Sequence, residues 1–295
     1  MVLGLLPLLL PNAFWYDLAT RSAINAVVVI GLNLLIGYAG QISLGHAGFI
    51  GIGAYASAVL TSRMGWPPLA AMAAGALATA LLALLVARPI LRLRGHALAM
   101  ATLGFGIILS MVFTNESQWT GGPDGIVVPP FSVFGLEITG EHHWYWLSAA
   151  LLLATLWAAG NLVDSPFGRA MQTLPTAEPA ARAVGVDPAE IKASIFVLSA
   201  VGASLMGSLS AHYVGFVTPQ VASFLTSVEL LTMVVVGGMA SLSGSVVGAA
   251  VLTVLPQLLT RFEGAETAAF GLILAVTMIV MPRGLVPTIR ERLRT

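Results

Sequence analysis

Apolar stretches long enough to cross a lipid bilayer recur along almost the whole of this chain. Hydrophobic residues fill 57% of its 295 positions and charged residues only 9%, whereas a soluble domain carries about 25% charged residues. Residues 67–87 and 193–217 contain no charged side chain, and about 20 apolar residues suffice for a membrane-spanning helix. The alternating segments of about ten residues that a β-barrel needs are absent. The chain is therefore predicted to be all-α, a polytopic transmembrane helical bundle.

The apolar runs predict about ten helices in a single transmembrane domain over residues 1–295. The first run is too short to span alone, because ten helical residues rise only about 15 Å, and we interpret it as a short or start-truncated helix. The predicted helices cover residues 1–11, 22–38, 43–62, 67–87, 96–113, 143–163, 192–212, 225–240, 245–260 and 267–281.

Ten of the 13 basic residues fall on one side of this helix order. Because cytoplasmic loops of membrane proteins carry the excess of Lys and Arg, this side is cytoplasmic, with loop 164–190 and both termini. Loop 114–142 holds four acidic residues and no Lys or Arg, as expected of an external loop. The basic clusters are Arg88, Arg92 and Arg94; Arg169, Arg182 and Lys192; and Arg283, Arg290, Arg292 and Arg294.

Residues 37–55 depart from a plain lipid-facing span, since they hold six glycines together with polar side chains. Each glycine lowers helix stability by about 1 kcal/mol. The stretch is either a tight helix–helix contact or an irregular segment that lines the translocation pathway. The second interpretation makes Gln41, Ser43, Gly45, His46 and Gly48 candidate pathway residues.

Two features of the C-terminal half extend this picture. Residues 237–250 are again rich in Gly, Ala and Ser and include the GxxxG spacing of Gly244 and Gly248, which favours close helix packing. Glu229 lies in an apolar run near its external end. A charge costs about 2.5–3.5 kcal/mol at a helix centre and less near the interface. Glu229 should thus face protein or water, either in a structural hydrogen bond or as a pathway candidate that meets a cationic group.

The sequence offers no constellation for catalysis, metal binding or nucleotide binding. It has no Cys, no HExxH pattern and no GxxxxGK[ST] loop, so we expect no metal site, no catalytic residue and no bound cofactor. A formal net charge of zero gives no indication of nucleic-acid binding.

The cytoplasmic loop 164–190 is long for a connection between two spans. It contains a predicted helix over 176–184 that ends at Gly185, and the Ala-rich face of this helix suits docking into a groove of a partner. Pro175 and Pro179 should break the helix or shift its start, because proline is tolerated only in a first turn.

Five segments, in order, make the chain resemble the LivM-type permeases of branched-chain amino-acid ABC importers over about residues 25–285. They are GLNLLIGYAGQISLGHAGFIGIGAY (31–55), WTGGPDGI (119–126), FGRAM with AEPAARAVGVD (167–187), SVELLTMVVVGGMASLSGSVVGA (227–249) and MPRGL (281–285). The resemblance implies a multi-pass permease subunit in a bacterial inner membrane. Its implied partners are a second, LivH-like permease, two ATP-binding subunits and a periplasmic substrate-binding protein.

The resemblance also implies that this chain is not an enzyme and that ATP is bound and hydrolysed by the partner subunits. The implied ATPase-docking loop carries Gly168, Arg169, Glu178, Ala181 and Gly185 at matching positions. The substrate stays open between branched-chain or other small amino acids and urea or short amides. An ion-coupled secondary transporter is the alternative class, although it would need more intramembrane titratable groups than Glu229.

Overall fold

The computed structural model describes residues 12–259, apart from 92, 94, 134, 135, 184 and 186, together with 271–272, 275–276, 281 and 284–292. Most of this part of the chain is helical, and shorter helical turns lie at Leu34–Tyr38, Ser117–Thr120, Gly122–Asp124 and Pro219–Ala222. The helices are α1 (Ala13–Asn33), α2 (His46–Met64), α3 (Pro68–Ile90), α4 (His96–Asn115), α5 (Glu141–Asp164), α6 (Pro166–Ala183), α7 (Pro188–Val214), α8 (Phe224–Gly237), α9 (Leu242–Leu259) and α10 (Leu285–Arg292).

The prediction of an all-α polytopic bundle is confirmed. Among the described residues, five segments are long and apolar enough to cross a membrane: Ala13–Tyr38, α3, α4, α5 and α7. Helices α8 and α9 are shorter apolar helices. The predicted spans from 22–38 to 245–260 each coincide with one of α1–α5 or α7–α9. Helix 1–11 and most of helix 267–281 lie outside the described residues.

The first described helix starts earlier than the sequence indicated. The prediction that it begins at residue 22 is wrong, because α1 already begins at Ala13. Asp17 and Arg21 do not break the helix; they stand one turn apart and form an ion pair, with Nε 2.9 Å from Oδ1. The hydroxyl of Tyr213 also donates to Asp17 at 2.6 Å. Paired charges near the end of a span are thus accommodated inside the helix.

Helices α1 and α7 form the centre of the bundle. The apolar windows of Ala13–Tyr38 and α7 are 72% and 56% buried, against 22% for α3, α4 and α5. Helix α7 packs on α1, α2 and α3, and α1 packs on α5 and α9. The peripheral helices expose large apolar side chains, as lipid-facing helices do. Among these side chains are Leu85, Met100 and Trp157.

Glycines bring α2 and α7 into backbone contact. A methyl group on Gly53 would overlap the carbonyl oxygen of Ser204, and one on Gly207 would overlap that of Ile50. The Ser208 hydroxyl donates to the Gly53 carbonyl at 2.8 Å. Small residues permit this approach in membrane helices, so close packing is what these glycines provide.

Loop 114–142, which is predicted to be external, folds over one end of the bundle and contributes to two small antiparallel sheets. Strand β1 (Ile126–Val127) pairs with β4 (Phe216–Val217), which follows α7. Strand β2 (Ser132–Val133) pairs with β3 (Leu136–Glu137). Nδ1 of His212 is 2.9 Å from the carbonyl oxygen of Pro129, so the loop is held on the end of α7.

Loop 164–190, which is predicted to be cytoplasmic, forms helix α6, and this helix is longer than the predicted 176–184. Its backbone leaves helical geometry at Ala177, with φ −143° and ψ 48°, between Pro175 and Pro179. The predicted break at these prolines is therefore confirmed. Gly185 follows with φ +84°, in the left-handed region that glycine tolerates.

Candidate translocation and coupling site

The glycine-rich stretch begins with an interruption of helical structure. Helix α1 continues into a π-helical turn, Leu34–Tyr38, and residues 39–45 are then irregular until α2 starts at His46. Helix α2 thus starts three residues later than the predicted helix 43–62. Gly40 has φ +66°, and the side chains of Gln41 and Ser43 are buried. We call residues 39–45 the irregular segment; π-helical turns next to such segments are frequent at functional sites.

His46 joins the irregular segment to α7. Its Nδ1 lies 2.8 Å from the Ser43 hydroxyl, and its Nε2 lies 2.7 Å from the Ser199 hydroxyl. The rings of Phe49 and Phe196 meet the imidazole edge-on. The side chain is 1% exposed. In this conformation His46 therefore connects three elements and faces no open channel.

Two candidate glycines lie against α4. A methyl group on Gly45 would overlap the carbonyl oxygen of Thr102, and one on Gly48 would come within 2.7 Å of Cδ1 of Leu109. The Thr102 hydroxyl also accepts a hydrogen bond of 3.0 Å from the backbone N–H of Leu44. Both glycines thus allow close packing, and a pathway role for them and for Gln41, Ser43 and His46 stays a prediction.

A second interruption lies between α8 and α9, at residues 238–241, and Asn33 holds it. Its Nδ2 group contacts the carbonyls of Gly238 and Ser241, both at 3.1 Å, and the Ser245 hydroxyl at 2.7 Å. Its Oδ1 accepts from the N–H of Ala240 at 2.9 Å. Sequence reasoning missed Asn33; the available signal was an amide inside an otherwise apolar span.

The two interruptions touch one another at one end of the bundle. A methyl group on Gly37, in the π-helical turn, would overlap the backbone nitrogen of Ala240. Ala240 itself has φ +56°, an uncommon value for a residue other than glycine. The residues that bring the two interruptions together are Gly37 and Asn33.

Of the predicted coupling residues in α6, three pack against the bundle and one is exposed. Glu178 forms ion pairs with Arg182 at 3.0 Å and with Lys192 of α7 at 3.1 Å. Ala181 is buried. A methyl group on Gly168 would overlap the carbonyl oxygen of Leu162, so α6 starts tightly against the end of α5. These three residues face the bundle.

Arg169 lies on the exposed face of α6, where its Nη1 donates to the carbonyl of Asp164 at 2.7 Å. Gly185 makes the turn after the helix. Arg169 and Gly185 are therefore the predicted coupling residues that are exposed.

Helix α6 also contacts the irregular segment. A methyl group on Gly40 would lie 3.1 Å from Cβ of Pro175. Residues of both elements and of α7 line a cavity of about 180 Å³, among them Gln41, Leu174 and Lys192. Helix α6 is therefore in direct contact with the irregular segment, which immediately precedes His46.

Glu229 lines a cavity of about 260 Å³ between α1, α7, α8 and α9. Arg21, Asn25 and Ser210 line the same cavity. Across the part of the chain that the structure describes, His, Asp and Glu form no group of three that could hold a metal ion.

Comparisons with known proteins agree with this architecture. The family model described as "Branched-chain amino acid transport system / permease component" matches residues 15–282. The permease protein LivM of the high-affinity branched-chain amino acid transport system is 34% identical in Salmonella typhimurium and 33% in Escherichia coli, over 94% of this chain and 71% of each relative. The LivH permease protein of Escherichia coli is 24% identical over 90% of this chain and 92% of its own length. No solved structure matches the chain.

Proposed function

Because this chain belongs to the family of branched-chain amino acid transport permease components, we propose that it moves branched-chain amino acids into the cell. It is a multi-pass membrane permease subunit of an importer. In the proposed complex it pairs with a second, LivH-like permease to form the pathway. Two ATP-binding subunits supply the energy, and a periplasmic binding protein delivers the substrate. The chain itself carries no ATP and catalyses no reaction.

The observation that carries the ATP-driven mechanism is the position of α6. This helix exposes Arg169, is paired to α7 through Glu178 and Lys192, and lies against the irregular segment at Gly40. A nucleotide-driven movement of a docked subunit would therefore reach the irregular segment through direct contacts. An ion-coupled carrier would not need a helix that transmits movement from a docked subunit.

The two helix interruptions provide the element that this movement would act upon. The π-helical turn and residues 238–241 are held together by Asn33 and Gly37. Short segments at helix ends can act as hinges for alternating access, because a few residues outside regular helix absorb the change in backbone angles. In the proposed cycle α6 displaces the irregular segment, and His46 transmits this displacement to α7 through Ser199.

Reconstitution tests the proposal. Proteoliposomes that contain this chain, the second permease and both ATP-binding subunits should accumulate leucine, isoleucine and valine when the binding protein and ATP are present. Omitting this chain should abolish uptake, and urea and short amides should not be accumulated. Accumulation of leucine by this chain alone, driven by an ion gradient, would contradict the proposal and favour the secondary transporter.

A further inference from the structure

The external cavity that contains Glu229 combines charge with an apolar wall. Its volume of about 260 Å³ is slightly below the range of about 300–1,000 Å³ for drug-sized ligands, so it suits a smaller solute. The polar lining residues are Arg21, Asn25, Ser210, Glu229, Thr253 and Gln257. Ile24, Met233, Leu252 and Pro256 complete the lining.

The two charges of the cavity have opposite sign and lie on different helices. Arg21 belongs to the third turn of α1, and Glu229 belongs to the second turn of α8. A free α-amino acid carries an ammonium group and a carboxylate on the same carbon, next to its side chain. A cavity that offers a carboxylate, a guanidinium and an apolar surface matches all three parts of that molecule.

We propose that this cavity is an outer recognition site for zwitterionic α-amino acids with apolar side chains. The carboxylate of Glu229 binds the ammonium group, the guanidinium of Arg21 binds the carboxylate, and the apolar lining residues contact the side chain. This inference deepens the proposed function and rests on it, since it gives the importer a first binding site for its substrate within the membrane subunit.

The groups that already contact Arg21 position it and leave donors for a ligand. Its described hydrogen bonds to Asp17 both come from Nε, at 2.9 Å, and a guanidinium has five N–H donors. Asp17 is itself fixed by the hydroxyl of Tyr213 at 2.6 Å, and the guanidinium lies 5.7 Å from the centre of the Tyr213 ring. The site does not require Glu229 to be unpaired, because a carboxylate accepts about four hydrogen bonds.

The location of the cavity suits a first site. Asn25 donates to the Thr253 hydroxyl at 3.0 Å, which joins α1 to α9 beside the cavity. Helix α8 runs from Glu229 towards the interruption at residues 238–241, and α1 runs from Arg21 towards Asn33. The helices that would bind the amino acid are therefore the same two that meet at the interruptions. Occupancy of the cavity and the state of the interruptions can thus affect each other.

The absence of cysteine from the sequence permits a direct test in proteoliposomes that contain the assembled transporter without binding protein or ATP. Ser210→Cys should react with a membrane-impermeant thiol reagent applied from the external side, and millimolar leucine should slow this reaction at least fivefold. Ser117→Cys is the matched control: it is external and exposed, lies outside the cavity, and should react at a rate that leucine does not change.

Charge-deleted ligands and variants separate recognition from a merely structural role. 4-Methylpentanoate lacks the ammonium group and 3-methylbutylamine lacks the carboxylate, so neither should protect Ser210→Cys. Adding Glu229→Gln or Arg21→Gln should raise the leucine concentration needed for protection at least tenfold, whereas Glu229→Asp should retain protection. If a charge-neutral variant does not assemble, the analogue comparison in the unaltered site still decides the matter.

Three results would overturn the inference: no reaction of Ser210→Cys, no protection by leucine, or equal protection by leucine and its charge-deleted analogues. The proposed function is judged separately by ATP-dependent leucine uptake in the complete complex with the unaltered chain. Normal uptake without protection rejects the outer site alone, and absent uptake rejects the proposed function whatever the labelling shows.

Discussion

At the scale of single residues, the environment of Lys192 illustrates how α6 is attached to the bundle. Only 7% of this lysine is exposed, so its ammonium group needs a nearby carboxylate. Glu178 supplies it at 3.1 Å and at the same time pairs with Arg182, whose side chain is 59% exposed. The same carboxylate thus takes part in a buried pair and in a surface pair, and these should differ in energy.

Removing Glu178 should therefore cost much more stability than removing Arg182. Glu178→Gln leaves a buried ammonium group without this carboxylate, and we expect a loss of about 3 kcal/mol. Arg182→Gln removes an exposed partner and should cost less than about 1 kcal/mol. Thermal unfolding of the purified complex measures both, and equal shifts of the two variants would contradict the buried-pair assignment.

Asn33 should be the most sensitive amide of the bundle. Asn33→Ala removes every contact of Asn33 with residues 238–245 and leaves buried backbone groups unsatisfied, each at a cost of about 1–3 kcal/mol. Asn25→Ala is the control in the same helix, because the described side-chain hydrogen bond of Asn25 is the one to Thr253. We expect the unfolding temperature to fall further for Asn33→Ala. A larger fall for Asn25→Ala would show that the interruption is held by other groups.

Candidate site residues could be predicted from the sequence where a polar side chain lies in an apolar run. The residues to which these side chains form hydrogen bonds could not be predicted. His46 and Ser43 were identified as candidates from residue type alone. Ser199, which completes their hydrogen-bonded chain, is 153 positions from His46. A serine in a membrane helix is too common to be singled out without the packing of α7 on α2. The long-range half of the site therefore requires the tertiary structure.

At the scale of elements, helices were predictable and their ends were not. Charged residues were interpreted as helix ends, so the predicted helix began at residue 192. Helix α7 instead starts at Pro188 and contains both Glu190 and Lys192 in its first turns. The Asp187 carboxylate accepts from the N–H of Ala189 at 2.9 Å and caps this helix. Terminal turns project beyond the hydrocarbon, so charge there limits the membrane-embedded part of a helix but not the helix itself.

The contact between α2 and α7 should fail when a methyl group is added. Gly53→Ala and Gly207→Ala place Cβ into backbone carbonyl oxygens of the facing helix, and both should reduce the yield of folded protein and its unfolding temperature. Gly202→Ala, on α7 itself, meets no atom within 4 Å. It should be neutral or gain up to about 1 kcal/mol from helix propensity. Similar behaviour of all three variants would argue against the close approach.

Helix α6 should transmit force through its exposed face. Arg169→Ala changes an exposed side chain and should leave the complex assembled and hydrolysing ATP while leucine uptake falls about tenfold. Gln172→Ala is the control, because it is equally exposed on the same helix and bonds the carbonyl of Val163 at 3.2 Å. Uptake and hydrolysis are measured in the same proteoliposomes. Unchanged uptake by Arg169→Ala would exclude this residue from coupling.

At the scale of the whole molecule, burial and charge define three zones. In the central pair of helices, α7 packs against α3 and α1 packs against α5, whereas α4 packs against α2. The large apolar side chains of α3, α4 and α5 face outward. One end of the bundle holds the small sheets, and the other end holds α6 and the contact between the two interruptions. The fold class followed from the sequence because hydrocarbon excludes charge. The distribution of basic residues predicts that the end with α6 is the cytoplasmic one. The adjacency of the interruptions depends instead on tertiary packing, which no local pattern encodes.

This sidedness leads to a test that uses single cysteines in a chain that has none of its own. Thr139→Cys lies in the exposed external loop, and Gln172→Cys lies on the exposed face of α6. In intact cells a membrane-impermeant maleimide should label Thr139→Cys alone, and it should label both variants once the membrane is permeabilised. Because the positive-inside rule acts on all loops together, the reverse pattern would invert every assignment at once. Arg169 would then face the periplasm, and the cavity around Arg21 and Glu229 would open towards the cytoplasm. The labelling experiment thus decides jointly on the coupling helix and on the outer recognition site.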